Sequence, residues 1–365
     1  MAFWEHDTFV LRSKFNRKEL VEFFLNHYSP TPILSPWGGG SGFYFQEGKA
    51  RDPVTGKLIK DPNGKYVKTG KRDQATTATK ALKALEAATD PRFQAYREAI
   101  SAARQLLDAL GLKAAPKGAA KSKLLVALRN QLPDAAAQWL DCAVVLARRG
   151  SARPRGGSFL PSYAALLGSG GNDGNADFSV NFMQRLRDAL ISEANQASGR
   201  ARQWLNAALF RLNAAGSRVM AFAGQYTPGT AGGPNAAAGF EGEYWVNPWD
   251  FILLLEGALF FTAAAVRRHG AGGNANAAFP FTVRATGAGY ASASGADELD
   301  ADDNFTEELW VPLWDRPTGR DELFAVLSEG RAQVGAAAAS TGVDFARANC
   351  ALDNGGTTSR SRRLL

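Results

Sequence analysis

Histidine and cysteine are nearly missing from this chain of 365 residues, which holds three of the first and two of the second. His6, His27 and His269 stand far apart and carry no metal-ligand spacing, which removes the common zinc patterns. Cys142 and Cys350 are isolated, with no Cys-x-x-Cys pair. Two lone thiols in a chain this long fit a reducing compartment. There is no Gly-x-x-x-x-Gly-Lys-Ser/Thr loop and no Gly-x-Ser-x-Gly elbow. Asp300, Asp302 and Asn304 are spaced like the start of a calcium loop, but Phe305 and Val311 occupy the positions that need glycine and glutamate. A solvated acidic loop is the expectation there. Hydrolytic or redox catalysis has no visible constellation, so the expectation is a protein that is not an enzyme and needs no metal or cofactor.

Long apolar runs are missing too. The most apolar stretch, Phe251 to Val266, is short for a bilayer and has Glu256 inside it. The first residues, MAFWEHDTF, lack the basic start and apolar run of a signal peptide. These features imply a cytoplasmic, soluble chain without a membrane partner.

What is present is an ordinary globular balance, 45% hydrophobic and 21% charged, with a net charge of +7. A basic surplus points to an anionic partner. The charge is concentrated between Lys49 and Lys80, where Lys49, Arg51, Lys57, Lys60, Lys65, Lys68, Lys71, Arg72 and Lys80 face Asp52, Asp61 and Asp73. Two turn signals, DPVTG and DPNGK, flank Lys57-Leu58-Ile59-Lys60, which predicts a β-hairpin or mobile arm over about 46–80. Before it lies PTPILSPWGGGSGFYF, a stiff approach, a glycine centre and an aromatic exit.

The remaining pattern is mainly helical. A strand is predicted at 7–12, then a helix capped by Asn16 that ends before Pro30. Residues 75–150 read as helices, with Asp90-Pro91 as a start, Gly111 as a stop and a basic linker from Lys113 to Lys123. SARPRGG marks a seam. A further helix starts near Ser179. A Gly/Pro/Ala loop covers 223–243. Asn247-Pro248-Trp249-Asp250 opens a helix that Arg267, Arg268, His269 and Gly270 close. Strands are expected at 279–284 and 309–314, with an acidic run, 297–308, between them. The expected fold is α+β, mainly helical, with short antiparallel sheets near 8–60 and 279–315. Two lobes, 1–150 and 151–348, are expected to meet near 150–157, and 349–365 reads as a disordered tail.

Two glycine loops are candidate contact surfaces. In the first, the backbone of Gly38, Gly39 and Gly40, with Ser41, suits an anion, and Trp37, Phe43 and Tyr44 suit stacking on bases. The same aromatics serve equally well as core anchors around a tight turn. In the second, Ser169, Gly170, Gly171 and Asn172 precede a helix holding Asn181, Gln184 and Arg185, an arrangement that suits an anion at a helix start. Asn172, Asp173 and Asp177 can instead close that loop internally by Asx-turns.

The strings FVLRSKFNRKELVEFFLNHYSPTPILSPWGGGSGFY, LLGSGGNDGNADFSVNFMQRL, NPWDFILLLEGALFF, AAFPFTVRATGAGYASAS, ELWVPLWDRP and EGRAQVGAAAASTGVDFARA occur in this order across residues 8–348. Together they resemble the large subunit of type I-G (formerly I-U) CRISPR effector complexes. The resemblance departs in three places. A Pro-Leu…Tyr-Leu-Lys-Ala-Leu-Gly stretch usual upstream is absent. ANCALDNGGTTSRSRRLL does not look like the family, and Gly38 stands where family loops carry Asn. A product truncated at both ends is the expectation. The resemblance implies a non-catalytic subunit of a complex in antiviral defence, with guide RNA, target DNA, other effector subunits and a separate helicase–nuclease as partners. Guide pairing would read the target, while the subunit contributes flanking-motif recognition and duplex opening. Two other readings compete: a scaffold touching only protein, with Trp37 in the core, and a metal enzyme using Asp173, Asp177 and the acidic run.

Overall fold

The computed structural model describes residues 1–6, 8–44, 47–72, 77–148, 159–164, 178–212, 219–222, 243–261, 264–267, 275–278, 282–284, 307–329, 333–334, 337–338 and 360–364. It is mainly helical, with several two-stranded antiparallel sheets. The helices are α1 (Arg17–Asn26), α2 (Thr77–Ala87), α3 (Gln94–Ala109), α4 (Gly118–Gln131), α5 (Asp134–Ala143), α6 (Phe178–Leu186), α7 (Glu193–Ala197), α8 (Arg200–Phe210), α9 (Pro248–Ala258) and α10 (Arg320–Glu329). A π-helical turn, Arg187–Ile191, continues α6.

Antiparallel pairs join β1 (Ala2–Glu5) to β2 (Thr8–Leu11), β3 (Glu47–Lys49) to β4 (Lys68–Arg72), and β5 (Val144–Arg148) to β6 (Phe159–Tyr163). They also join β7 (Val219–Phe222) to β8 (Glu243–Val246) and β9 (Ala264–Arg267) to β10 (Ala275–Ala278). Later, β11 (Thr282–Arg284) pairs with β12 (Glu307–Leu313), β13 (Gln333–Val334) with β14 (Ala337–Ala338), and β15 (Arg360–Leu364) adds to β12. β15 lies inside the stretch that composition marks as a tail, and its pairing with β12 was not signalled there.

Local chemistry accounts for the first helix. The Asn16 side chain accepts from the Glu19 amide at 3.0 Å, and the Glu19 carboxylate accepts from the Asn16 amide at 2.9 Å. This reciprocal box satisfies two amides that a helix start otherwise leaves orphaned. Phe15 stacks on Phe23, two turns along, with ring centroids 5.6 Å apart. At the other end of the helical half, α3 stops where Gly111 turns the chain with φ of 64°.

Three predicted elements differ. The basic linker 113–123 is partly helical, because α4 begins at Gly118. The helix expected through 149 gives way at Val144 to β5, where consecutive β-branched Val144 and Val145 favour a strand. The helix opened by Asn247 ends at Ala258 rather than at Arg267. After Gly257 the backbone tightens, with Phe260 and Phe261 amides donating to carbonyls three residues back. The Cys142 thiol donates to the Ala258 carbonyl at 2.9 Å and caps this end. Burial pushes that thiol up to about 12, so it stays protonated and unreactive.

One hydrophobic core runs through the helical part. It includes Val21 and Leu25 of α1, Ile33, Leu34 and Trp37 of the following loop, and the inner faces of α2 to α6, α8 and α9. Helices before and after 150–157, residues that lie outside the described ones, both contribute to it. Trp37, Trp204, Trp249, Tyr96, Phe93 and Phe182 are its largest fully buried side chains. The terminal hairpin β1–β2 is tied instead to 314–318: Trp4 donates its amide to the Trp314 carbonyl at 2.7 Å, and Trp314 Nε1 donates to the Ala2 carbonyl at 2.8 Å.

Candidate nucleic-acid interface

The first glycine loop is a core element. Its approach is fastened by side chains from distant parts of the chain. The Glu256 carboxylate in α9 accepts from the Tyr28 hydroxyl at 2.5 Å, the Thr31 amide at 2.8 Å and the Thr31 hydroxyl at 2.7 Å. The Tyr96 hydroxyl bonds both the amide and the carbonyl of Ile33, and Trp139 Nε1 donates to the Leu34 carbonyl at 2.9 Å. Burial first, and the Glu256 charge second, push the Tyr28 phenol well above its ordinary range. Its proton therefore stays in place to bridge the carboxylate.

The loop then closes on itself. The Ser41 hydroxyl donates to the Gly38 carbonyl at 2.6 Å, and the Tyr44 hydroxyl to the Pro36 carbonyl at 2.6 Å. Gly42 has φ of 87°, and a β-carbon there would stand 3.0 Å from the backbone carbonyl atoms of Ala78. Only glycine lets the loop lie this close to α2. Trp37 is 2% exposed, and Gly38, Ser41, Phe43 and Tyr44 are buried with it. The expectation that Trp37, Phe43 and Tyr44 stack on bases is therefore corrected: each ring is spent on the core. Gly39 and Gly40 alone of the loop glycines are exposed.

The candidates on α6 are likewise inside. Asn181 and Arg185 are 2% and 4% exposed. Arg185 Nη2 reaches Asp188 Oδ2 at 3.2 Å and Gln184 Oε1 at 3.3 Å, while its buried Nε and Nη1 have no acceptor among the described residues. Burial pulls this guanidinium below its ordinary range, and the Asp188 carboxylate opposes that pull. The side chain is interior among the described residues. Ser169, Gly170, Gly171 and Asn172, with Asp173 and Asp177, lie outside the described residues. α2 packs against both Gly42 and α6, so the first loop and the second helix share one neighbour.

The arm is built differently. Three short antiparallel stems meet in it, bridged at Lys49–Lys68, Arg51–Leu58 and Lys60–Tyr66. One residue separates neighbouring stems at each corner: Ala50, Ile59 and Val67. Their backbones form a ring. The Ala50 amide donates to the Val67 carbonyl at 2.8 Å, the Val67 amide to Ile59 at 3.0 Å, and the Ile59 amide to Ala50 at 2.9 Å. Two stems end in turns organised by aspartate. Asp52 Oδ1 accepts from the amides of Val54 and Thr55, and Asp61 Oδ1 from those of Asn63 and Lys65. Thr55 donors hold the Asp52 carboxyl below its usual range. Both acids are therefore committed to turns.

The cations are left outward. Lys49, Arg51, Lys57, Lys60, Lys65 and Lys68 are all exposed. Among the described residues no ion pair engages Lys49, Lys57, Lys60 or Lys65. Lys71 and Arg72 continue along β4, Arg72 opposite Glu47. Sequence reasoning missed Tyr66, which is 41% exposed. Lys49 Nζ lies 4.5 Å and Lys60 Nζ 5.1 Å from its ring centroid. A lone aromatic within KYVK was the available signal.

Among the described residues no group of three or more histidines, cysteines and acids is placed to hold a metal, and no helix is long and apolar enough to cross a membrane. No family model matches the chain, and no curated protein matches it.

Proposed function

We propose that this chain is a non-catalytic, nucleic-acid-binding subunit, and that its place is the large-subunit position of a type I RNA-guided CRISPR effector complex. The observation that carries nucleic-acid binding is the arm: six exposed cations on one small element whose two turn acids are engaged by backbone amides. Such a surface gains affinity by releasing counterions from phosphates. The assignment to an effector complex rests on the ordered strings, and with it come guide RNA, target DNA, neighbouring subunits and a helicase–nuclease as partners.

Fluorescence anisotropy of labelled RNA and duplex DNA against the purified chain, over a range of salt, tests the binding. Saturable binding with a steep salt slope is expected. Replacing Lys57, Lys60, Lys65 and Lys68 by Glu should abolish most of it. A folded chain that binds neither nucleic acid overturns the reading.

A second reading, a scaffold that touches only protein, is favoured by one observation. The first glycine loop, with Trp37, is built into the core rather than offered to solvent. Under that reading the charge-reversed arm leaves nucleic-acid signals unchanged because there are none, and the arm's role lies in subunit contact.

A further inference from the structure

We infer that Tyr66 is a base-stacking residue and that the arm's ligand is single-stranded nucleic acid; this rests on the nucleic-acid reading above. Among the aromatic rings described in the arm and the neighbouring glycine loop, the buried ones are occupied by the core, and Tyr66 is the exposed one. It stands at the foot of a stem, paired with Lys60 across the bridge and next to Lys65 in the chain. Ile59 and Val67, at the junction, are 38% and 37% exposed, so apolar surface is open to solvent on the same element. Two ammonium groups sit over the ring, from Lys49 and Lys60.

An exposed cation–π contact is weak and easily exchanged. An incoming base replaces one ammonium on the ring face, and the displaced lysine moves to the adjoining phosphate. The pieces needed for a sequence-tolerant single-strand site are then all in place: a π-face and flanking cations that track a backbone. Duplex nucleic acid offers phosphates but keeps its base faces stacked inside, so it can use the lysines and not the ring.

The test compares a labelled oligo(dT) of about twenty nucleotides, longer than the ~4–16 nucleotides a small binding element covers, with a duplex of the same length, using the whole chain. Tyr66→Ala is expected to weaken oligo(dT) binding about 5- to 150-fold, the range that stacking of one base supports. Duplex affinity should change less than about twofold. Tyr66→Phe should bind as the parent does. Tyr66→Leu, which keeps apolar bulk without a π-face, should resemble Tyr66→Ala and guards against a misfolded arm. The salt slope should be unchanged in all three, because no charge is lost, whereas Lys60→Gln should lower it by about one.

Oligo(dT) binding by Tyr66→Ala equal to that of the parent overturns the stack and leaves the nucleic-acid reading standing. Equal losses on single strand and duplex also overturn it, since the ring would then support the arm rather than the base. A parent chain that binds neither probe overturns both readings.

Discussion

Residues 30–44 and 47–72 are neighbours in the chain, and both are rich in glycine and proline. The structure uses them in opposite ways. The first segment is threaded into the core and fastened by Glu256, Tyr96 and Trp139, from three separate helices. The second is shaped largely by its own backbone bonds and turn aspartates, with most of its described side chains outward. The difference teaches that glycine-rich sequence does not by itself mark a contact surface. What separates the two is the residue type between the glycines. Large aromatics and aliphatics pull the first segment inward, and lysines hold the second in water.

The contrast breaks most visibly at Trp37. Trp37→Ala should lower stability by about 3–5 kcal/mol, the cost of emptying a buried tryptophan site, measured by urea unfolding followed by circular dichroism. A loss under about 1 kcal/mol would mean that the loop is not core. Glu256→Ala comes next. It leaves a buried tyrosine hydroxyl and the Thr31 amide without their acceptor, and a loss of about 3 kcal/mol is expected. Thr31→Val should recover part of that loss in the double variant. Gly42→Ala is smaller, about 1–3 kcal/mol, because a side chain at positive φ is strained and its β-carbon meets the α2 backbone. Smallest is the arm. Lys57→Glu with Lys65→Glu should leave the unfolding midpoint where it is, while changing nucleic-acid affinity several-fold. A shifted midpoint would show that the arm supports the fold.

Much of the helical frame was legible, because the signals are local. The Asn16 box, the Asp90-Pro91 start, the Gly111 stop and the Asn247-Pro248 start each depend on residues within one turn. Strands were less legible. β1 and β6 are short, and each is stabilised by a partner rather than by its own alternation. The end of α9 lies earlier than expected: Arg267, Arg268 and His269 look like a helix terminus, while the backbone tightens after Gly257 and the last-turn carbonyl of Ala258 is met by Cys142, which lies far away in the chain. For the site, the arm's cations were legible as composition. The burial of Trp37 was not, since an aromatic beside glycines reads equally well as anchor or platform. Tyr66 was hidden for the opposite reason: one ring among lysines gives no periodic signal, and its meaning comes from folding Lys49 and Lys60 back over it.

The ring of backbone bonds through Ala50, Ile59 and Val67 bears on how such an arm stays single. Exposed β-structure with a free edge is a template on which another chain can add a strand, and it courts aggregation. At the junction each of the three residues gives its amide to one neighbour and its carbonyl to the other. The middle of the arm therefore presents no row of spare donors and acceptors. An element this exposed, and this short of buried apolar surface, can be displayed on a concentrated protein without zipping to its copies.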